Sequence, residues 1–169
     1  NIVANRAQSF EARWHQRGWR SDNDEIHRSK FAARSTRVKR MKRFAIFGAS
    51  GCGRGVMPLA HQQLTLSEQD AWELVFVDDQ PPAAQLNGYR VLPYAQWLAE
   101  PAVSRHICLA IASGKVREKL EQRCTADDIA FWQVRAANVV IMDEVKIGPG
   151  AVLSPFVTLT SNIEIGKHF

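Results

Sequence analysis

Five aliphatic residues, Ile141, Ile147, Leu153, Leu159 and Ile165, stand at every sixth position of the carboxyl end. A period of six fits neither a helix nor an ordinary strand. Two more columns keep the same register: Met142, Gly148, Ser154, Thr160 and Gly166 follow each aliphatic, and Val145, Ala151, Val157, Ile163 and Phe169 stand four after it. A stacked parallel coil requires such columns, because each short strand lies on its equivalent one coil away and the inward residue recurs at each face. The small residues that follow the aliphatics are then expected to turn the corners. With about three faces to a coil, five hexads make fewer than two coils, short of the roughly three repeats a solenoid needs.

A net charge of +5 invites a nucleic-acid reading. Its distribution removes it. Residues 1–40 hold ten Lys and Arg against four Asp and Glu, a balance of +6, whereas residues 41–169 hold twelve against thirteen, a balance of −1. The basic character belongs to a leader with eight Arg, two Trp and two His, which stops at Met41 directly before an apolar run. This leader is expected to be non-native or disordered, either translated upstream sequence or the tail of a fused partner. A basic arm for anionic partners, with a weak amphipathic helix over Ala4–Trp19, is the alternative. The chain opens on Asn1 and breaks off at Phe169 inside a hexad, so it reads as a fragment.

An apolar content of 46% argues one sizeable core plus an appendage. No stretch approaches a membrane span and no apolar signal core lies near the amino end, so cytoplasm is the expected location, with neither nucleic acid nor membrane as partner. Cys52, Cys108 and Cys124 have no metal-like spacing, and Cys108 and Cys124 read as packing residues. Beyond the leader, His61, His106 and His168 are ungrouped, so no metal is expected. His168 falls on a hexad surface position and reads as a turn residue.

Between Arg43 and Ile129 the pattern alternates strand and helix. Strands are expected at Phe44–Phe47, Leu74–Val77, Ile107–Ile111 and, as a fourth, Phe131–Val134; helices are expected at Val56–Leu64, Tyr94–Ala99 and Lys115–Arg123. Pro81, Pro82 and the turn pair Asn87 and Gly88 mark a loop. The fold class is therefore α/β: a small Rossmann-like parallel sheet with right-handed crossovers over residues 41–134, then the first coils of a β-helix over 135–169.

Glycines at 48, 51, 53 and 55 crowd the turn between the first strand and the first helix. Glycine there lets the backbone approach a guest closely and leaves N–H donors unblocked at a helix amino terminus, which suits a phosphate. Asp78 and Asp79 close the second strand about 30 residues on, where a Rossmann fold places the carboxylate that binds a ribose hydroxyl. Together they predict a nucleotide or nucleotide sugar. The spacing GxxGxG departs from the dinucleotide pattern GxGxxG, which counts against an NAD(P)-dependent oxidoreductase or epimerase; a non-catalytic nucleotide-binding module is a further alternative. A metal-dependent β-helix enzyme of the carbonic anhydrase kind would need several histidines among the coils, and the coils offer one.

A nucleotide-binding sheet followed by hexapeptide coils resembles the bacterial sugar acetyltransferases of the sialic acid O-acetyltransferase (NeuD) and UDP-4-amino-sugar N-acetyltransferase (PglD) type. The likeness runs from about Lys42 to Phe169. It is carried by FGASGCG at Phe47–Gly53, FVDD at Phe76–Asp79, LAIASGKVREKL at Leu109–Leu120 and SPFVTLTSNIEIGKHF at Ser154–Phe169. The resemblance implies a left-handed β-helix, a homotrimer, and acetyl-CoA-dependent transfer to an amine or hydroxyl of a nucleotide-linked or sialic-acid-like sugar in surface-glycan synthesis. It places Gly48, Ser50, Gly51, Cys52 and Gly53 against the substrate, Asp78 and Asp79 at the uridine or ribose, and Ala112 and Ser113 in the loop lining the third strand. Acetyl-CoA would lie between coils beside a histidine that acts as general base.

The chain departs from the family pattern at three places. Cys52 stands where the family usually has histidine in the glycine loop, and Val134–Val140 lacks the His-Pro pair often found at the junction. The family's catalytic histidine lies in coils beyond Phe169, so no catalytic residue is assigned in this chain, and the piece is expected to be inactive alone.

Overall fold

The structure is a computed structural model that describes residues 41–169. The expectations about the leader concern residues outside the described ones. The first half runs β1 (Lys42–Phe47), α1 (Gly51–Ser67), β2 (Trp72–Val77), β3 (Gln85–Leu86), β4 (Tyr89–Leu92), α2 (Tyr94–Ala99), β5 (Ser104–Leu109), α3 (Gly114–Ala126) and β6 (Ala130–Phe131). These strands form one sheet in the order β3-β4-β2-β1-β5-β6, parallel throughout except for β3 against β4. It is a Rossmann-like parallel sheet. The chain builds outward from β1 through β2 to β4, then returns to the other side of β1 for β5 and β6, so the order reverses between β1 and β5.

Strand alternation divides the core between the two faces. Phe44, Ile46, Leu74, Phe76 and Cys108 pack with Val56, Met57, Ala60 and Leu64 of α1. Ala45, Phe47, Val75, Val77, Ile107 and Leu109 pack with Tyr94 and Trp97 of α2 and Leu120 and Cys124 of α3. Each large apolar side chain so buried contributes about 1.5–3 kcal/mol. At the amino-terminal side of the sheet, Arg43 and Arg90 each pair with both Glu73 and Glu100, closing a ring of alternating charges that ties β1, β2 and β4 to the end of α2.

β1 and β2 start two residues earlier than expected and α3 is longer at both ends, and four larger departures have a physical reason. α1 begins at Gly51 rather than Val56, because docking its first turn against the end of β1 outweighs the poor helix propensity of glycine, and it continues through Pro58. The expected loop after β2 contains a hairpin: Asn87 (φ 51°) and Gly88 (φ 85°) turn β3 into β4, and Val91 and Leu92 of β4 pair with Phe76 and Val77. β5 starts at Ser104, since its polar first half pairs with Lys42–Phe44 of β1. The expected fourth strand splits: Ala130–Phe131 joins β5, whereas Val134–Arg135 (β7) leaves the sheet.

From β7 onward the strands stack at an 18-residue spacing. β8 (Val140–Ile141), β9 (Lys146–Ile147), β10 (Val152–Leu153), β11 (Thr158–Leu159) and β12 (Glu164–Ile165) complete three parallel pairs, β7 with β10, β8 with β11 and β9 with β12. The ladder is regular: Val134, Ala136, Val140, Met142, Lys146, Gly148 and Val152 each donate N–H to a carbonyl 17 residues later, at 2.7–3.0 Å. Leu153 and Leu159 are buried, while Ile141, Ile147 and Ile165 are half-buried.

The corners are not where small residues predicted them. The left-handed residues are Glu144 (φ 55°), Gly150 (φ 73°), Phe156 (φ 64°), Asn162 (φ 62°) and His168 (φ 55°), a column three after each aliphatic. Gly150, Asn162 and His168 belong to residue types enriched in this conformation, whereas Glu144 and Phe156 do not, so the column carries a mixed compositional signal. Gln63 of α1 ties the coils to the sheet: its Nε2 donates to the Gln133 carbonyl at 3.1 Å and its Oε1 accepts the Arg135 N–H at 2.8 Å.

Candidate functional site

In an open parallel sheet, the carboxyl ends of the strands at the point where the order reverses form a crevice. Here that point lies between β1 and β5. Backbone bonds line up the strand ends around it: Gly48 N–H donates to Val77 O (2.8 Å), Ala110 N–H to Phe47 O (2.9 Å) and Asp78 N–H to Leu92 O (3.0 Å).

Gly48 has φ +108°, and a β-carbon there would stand 2.8 Å from Ile111 Cδ1 and 2.9 Å from Ala110 O. Glycine is required on both counts. Ala49 donates its N–H to Asp78 Oδ2 at 3.0 Å, and Asp78 Oδ1 accepts the Gln80 N–H at 3.0 Å. Asp78 therefore braces the glycine loop from the neighbouring strand. Ser50 caps α1 in extended backbone, its side chain makes no capping bond, and the first turn holds no acidic residue. Ser50, Gly51 and Cys52 are exposed, whereas Gly53 is buried against Gly48. The positive end of the α1 dipole thus opens on the crevice, a setting that favours an anion.

Asp79 is exposed and differently placed. One of its oxygens pairs with Arg123 Nη1 at 2.7 Å, and the Arg123 guanidinium carbon lies 4.0 Å from the centre of the Tyr94 ring. Tyr94 donates its hydroxyl to Asp127 at 2.8 Å; burial first, and that bond second, push its phenol well above the usual range. On β5's side, Ala112 and Ser113 are exposed in the loop that leads into α3, which Arg117 steadies by donating to the Ile111 and Ala112 carbonyls at 2.7 and 3.1 Å.

All nine residues singled out from the sequence thus stand at the carboxyl ends of β1, β2 and β5, and a direct bond joins the first two groups through Ala49 and Asp78. Sequence reasoning missed Arg123, Tyr94 and Asp127. Nothing local marks them, since Arg123 reaches Asp79 across 44 residues and reads as one more charge on a charged helix.

The remaining thiols and imidazoles serve packing. Burial pushes the Cys108 thiol up to about 12 and also raises that of Cys124. His106 stacks on Phe44 at 4.7 Å and meets Ser104 Oγ at 3.0 Å, and His61 lies edge-on to Trp72 and Tyr89. His168 is a turn residue, as expected, but not a surface one. It is buried against Phe131 with Nε2 3.7 Å from Glu121, because the corner it occupies packs under α3. Among the described residues no cluster of His, Cys, Asp and Glu could hold a metal ion, and no helix is long and apolar enough to cross a membrane.

Residues 43–124, which contain the whole crevice, match the PglD N-terminal domain. Over these residues the chain is similar to sugar acetyltransferases of the NeuD/PglD type. The GDP-perosamine N-acetyltransferase of Escherichia coli O157:H7 is 33% identical over 129 residues, 76% of this chain and 58% of that protein. The solved structure of WeeI from Acinetobacter baumannii AYE is 42% identical with a TM-score of 0.69, covering 76% of this chain and 59% of that one. A mutant of perosamine N-acetyltransferase from Caulobacter crescentus, solved with CoA and GDP-perosamine, shares the fold at 20% identity and a TM-score of 0.62, over 74% of this chain and 57% of that one. The chain spans less than three-fifths of the length of these relatives.

Proposed function

We propose that this chain is the substrate-binding part and the opening coils of an acetyltransferase that moves an acetyl group from acetyl-CoA to an amino or hydroxyl group of a nucleotide-linked sugar in the cytoplasmic synthesis of a bacterial surface glycan. One observation carries the reading: a glycine-loop crevice at the sheet's reversal point is joined directly to parallel strands stacked at an 18-residue spacing. The sheet supplies a place for a nucleotide. The stacked strands supply the start of a left-handed β-helix.

In this reading the diphosphate of the sugar nucleotide sits over Gly48, Ser50, Gly51, Cys52 and Gly53, where the α1 amino terminus offers N–H donors and a positive dipole. Asp79 accepts from the ribose or base, Asp78 holds the loop in shape, and Ala112 and Ser113 close the β5 side. The GDP-perosamine in the name of the Escherichia coli relative supports an amino sugar as acceptor. Acetyl-CoA is assigned to the coils of a homotrimer; the CoA bound in the Caulobacter enzyme supports acetyl-CoA as the donor. The acceptor's nucleophile attacks the thioester carbonyl, its proton passes to a base, and CoA leaves as the thiol.

No base is assigned within this chain: His106 and His168 are held by packing partners, and the exposed His61 lies edge-on to Trp72 and Tyr89, well along α1 from its amino terminus. Cys52 in the glycine loop makes the substrate contact at that position a thiol contact, which alters acceptor choice rather than reaction type.

The test is release of CoA thiol by the full-length protein with acetyl-CoA and either GDP- or UDP-linked amino sugars. Thiol release that requires the nucleotide sugar supports the reading. No release with any nucleotide-linked amino or hydroxy sugar contradicts it.

A further inference from the structure

Asp78 and Asp79 follow one another at the end of β2, yet the structure gives them different tasks. Both oxygens of Asp78 are taken by backbone N–H groups, those of Ala49 and Gln80. Among the described residues no backbone donor reaches Asp79; its partner is Arg123, 44 residues away on α3. Exposed ion pairs between flexible side chains are usually too loose to fix a geometry. This one is restrained. The Arg123 guanidinium lies 4.0 Å over the Tyr94 ring, and Tyr94 is itself buried with its hydroxyl fixed to Asp127 at 2.8 Å. A planar cation held on an aromatic face presents its N–H edge in one plane, so the carboxylate that pairs with it is oriented too.

We infer that Arg123 is a positioning residue for nucleotide binding: the chain Asp127–Tyr94–Arg123 holds the Asp79 carboxylate with one oxygen engaged and the other turned to the nucleotide's ribose or base. This rests on the nucleotide reading of the crevice given above. Arg123 itself need not touch the ligand. The guanidinium acts by removing rotational freedom from Asp79 and by offsetting the repulsion between its carboxylate and an anionic guest.

The experiment is a double-mutant cycle on the full-length protein, with Asp79→Asn, Arg123→Met and the pair, titrated calorimetrically with GDP, UDP and acetyl-CoA, and assayed for kcat and KM. Arg123→Met is expected to raise the nucleotide Kd roughly fivefold while leaving acetyl-CoA binding and kcat unchanged, and to add less than about twofold once Asp79 is Asn. Arg123→Lys, which keeps the charge, is expected to recover part of the loss; a residue needed only for stability would show no such split between KM and kcat.

Parent-like nucleotide binding by Arg123→Met, with Asp79→Asn weakened, overturns the role of Arg123 alone. So does an equal loss in both backgrounds. Parent-like binding by Asp79→Asn overturns the role of Asp79 and with it that of Arg123, whereas a parent protein that binds neither GDP nor UDP overturns the nucleotide reading itself. Should Arg123→Met fail to fold, Arg123→Gln, which keeps a planar amide over Tyr94, supplies the same cycle with the same outcomes.

Discussion

The α-carbon of Gly53 lies against the carbonyl oxygen of Gly48, so closely that a β-carbon at position 53 would overlap that oxygen and crowd the carbonyl carbon at 2.9 Å. This contact seats the first turn of α1 on the end of β1. Because the obstacle is backbone, neither side can swing away.

Gly53→Ala is therefore expected to destabilise the fold by about 2–4 kcal/mol, or to displace α1 and abolish nucleotide binding. Gly55→Ala, where a β-carbon meets nothing within 4 Å, is the control and is expected to be neutral or slightly stabilising. Urea unfolding followed by circular dichroism checks both; equal effects of the two substitutions would refute the packing account.

The charge ring at the other end of the sheet predicts a second loss. Arg43 has an 8% exposed side chain and pairs with Glu73 and Glu100, so Arg43→Met leaves two half-buried carboxylates sharing Arg90. Removing one member of a buried pair costs about 3 kcal/mol. The unfolding midpoint in urea should fall accordingly, and a midpoint within error of the parent would show the ring to be ornamental.

Phe156 predicts a gain. Its backbone is left-handed at φ 64° and its side chain is 86% exposed, so the residue bears conformational strain without burying apolar surface. Asn162, one hexad on, shows the residue type that suits this corner. Phe156→Asn is expected to raise stability by about 1 kcal/mol, read as a higher melting temperature. A lower one would refute the strain account.

Acidity should loosen the coils. His168 is buried at a corner, and burial lowers its pKa below the ordinary 6.5; Lys167 and Arg117 lower it further, while Glu121 opposes them less strongly than burial acts. His106 is lowered for the same main reason, helped by Lys42 and opposed by Glu68. Since the folded pKa is depressed, the unfolded chain takes up the proton first. The stabilisation by neutral histidine is present above 6.5 and is lost as the pH falls below it. Melting temperature should drop as the pH falls below 6.5, and His168→Asn, tolerated at φ 55°, should flatten that drop. An unchanged slope in this variant would exclude His168 as a source.

Sequence periodicity was legible wherever one physical demand recurred. The alternating residues of β1 mark the two core faces, Tyr94–Ala99 is a helix with the bounds expected of it, and the hexads announce the 18-residue stacking. What stayed hidden depends on distant partners. β4 is too short to show a pattern and is a strand because Val91 and Leu92 find Phe76 and Val77. α1 begins among glycines because Gly53 seats on Gly48. The corner column accepts Glu144 and Phe156 because ladder bonds on either side impose its backbone, and propensity is overridden. The glycine loop and the acidic pair could be read in advance, but the pairing of Asp79 with Arg123 joins two segments that no local signal connects.

A nucleotide in the crevice and an acetyl donor on the coils are the two halves of the proposed function, and calorimetric titration reads each separately. The full-length protein would be titrated with UDP- and GDP-linked amino sugars, acetyl-CoA and NAD in turn. A nucleotide sugar and, independently, acetyl-CoA are expected to bind, with Asp79→Asn weakening the sugar nucleotide only; binding of NAD with neither of the others would contradict the transferase reading.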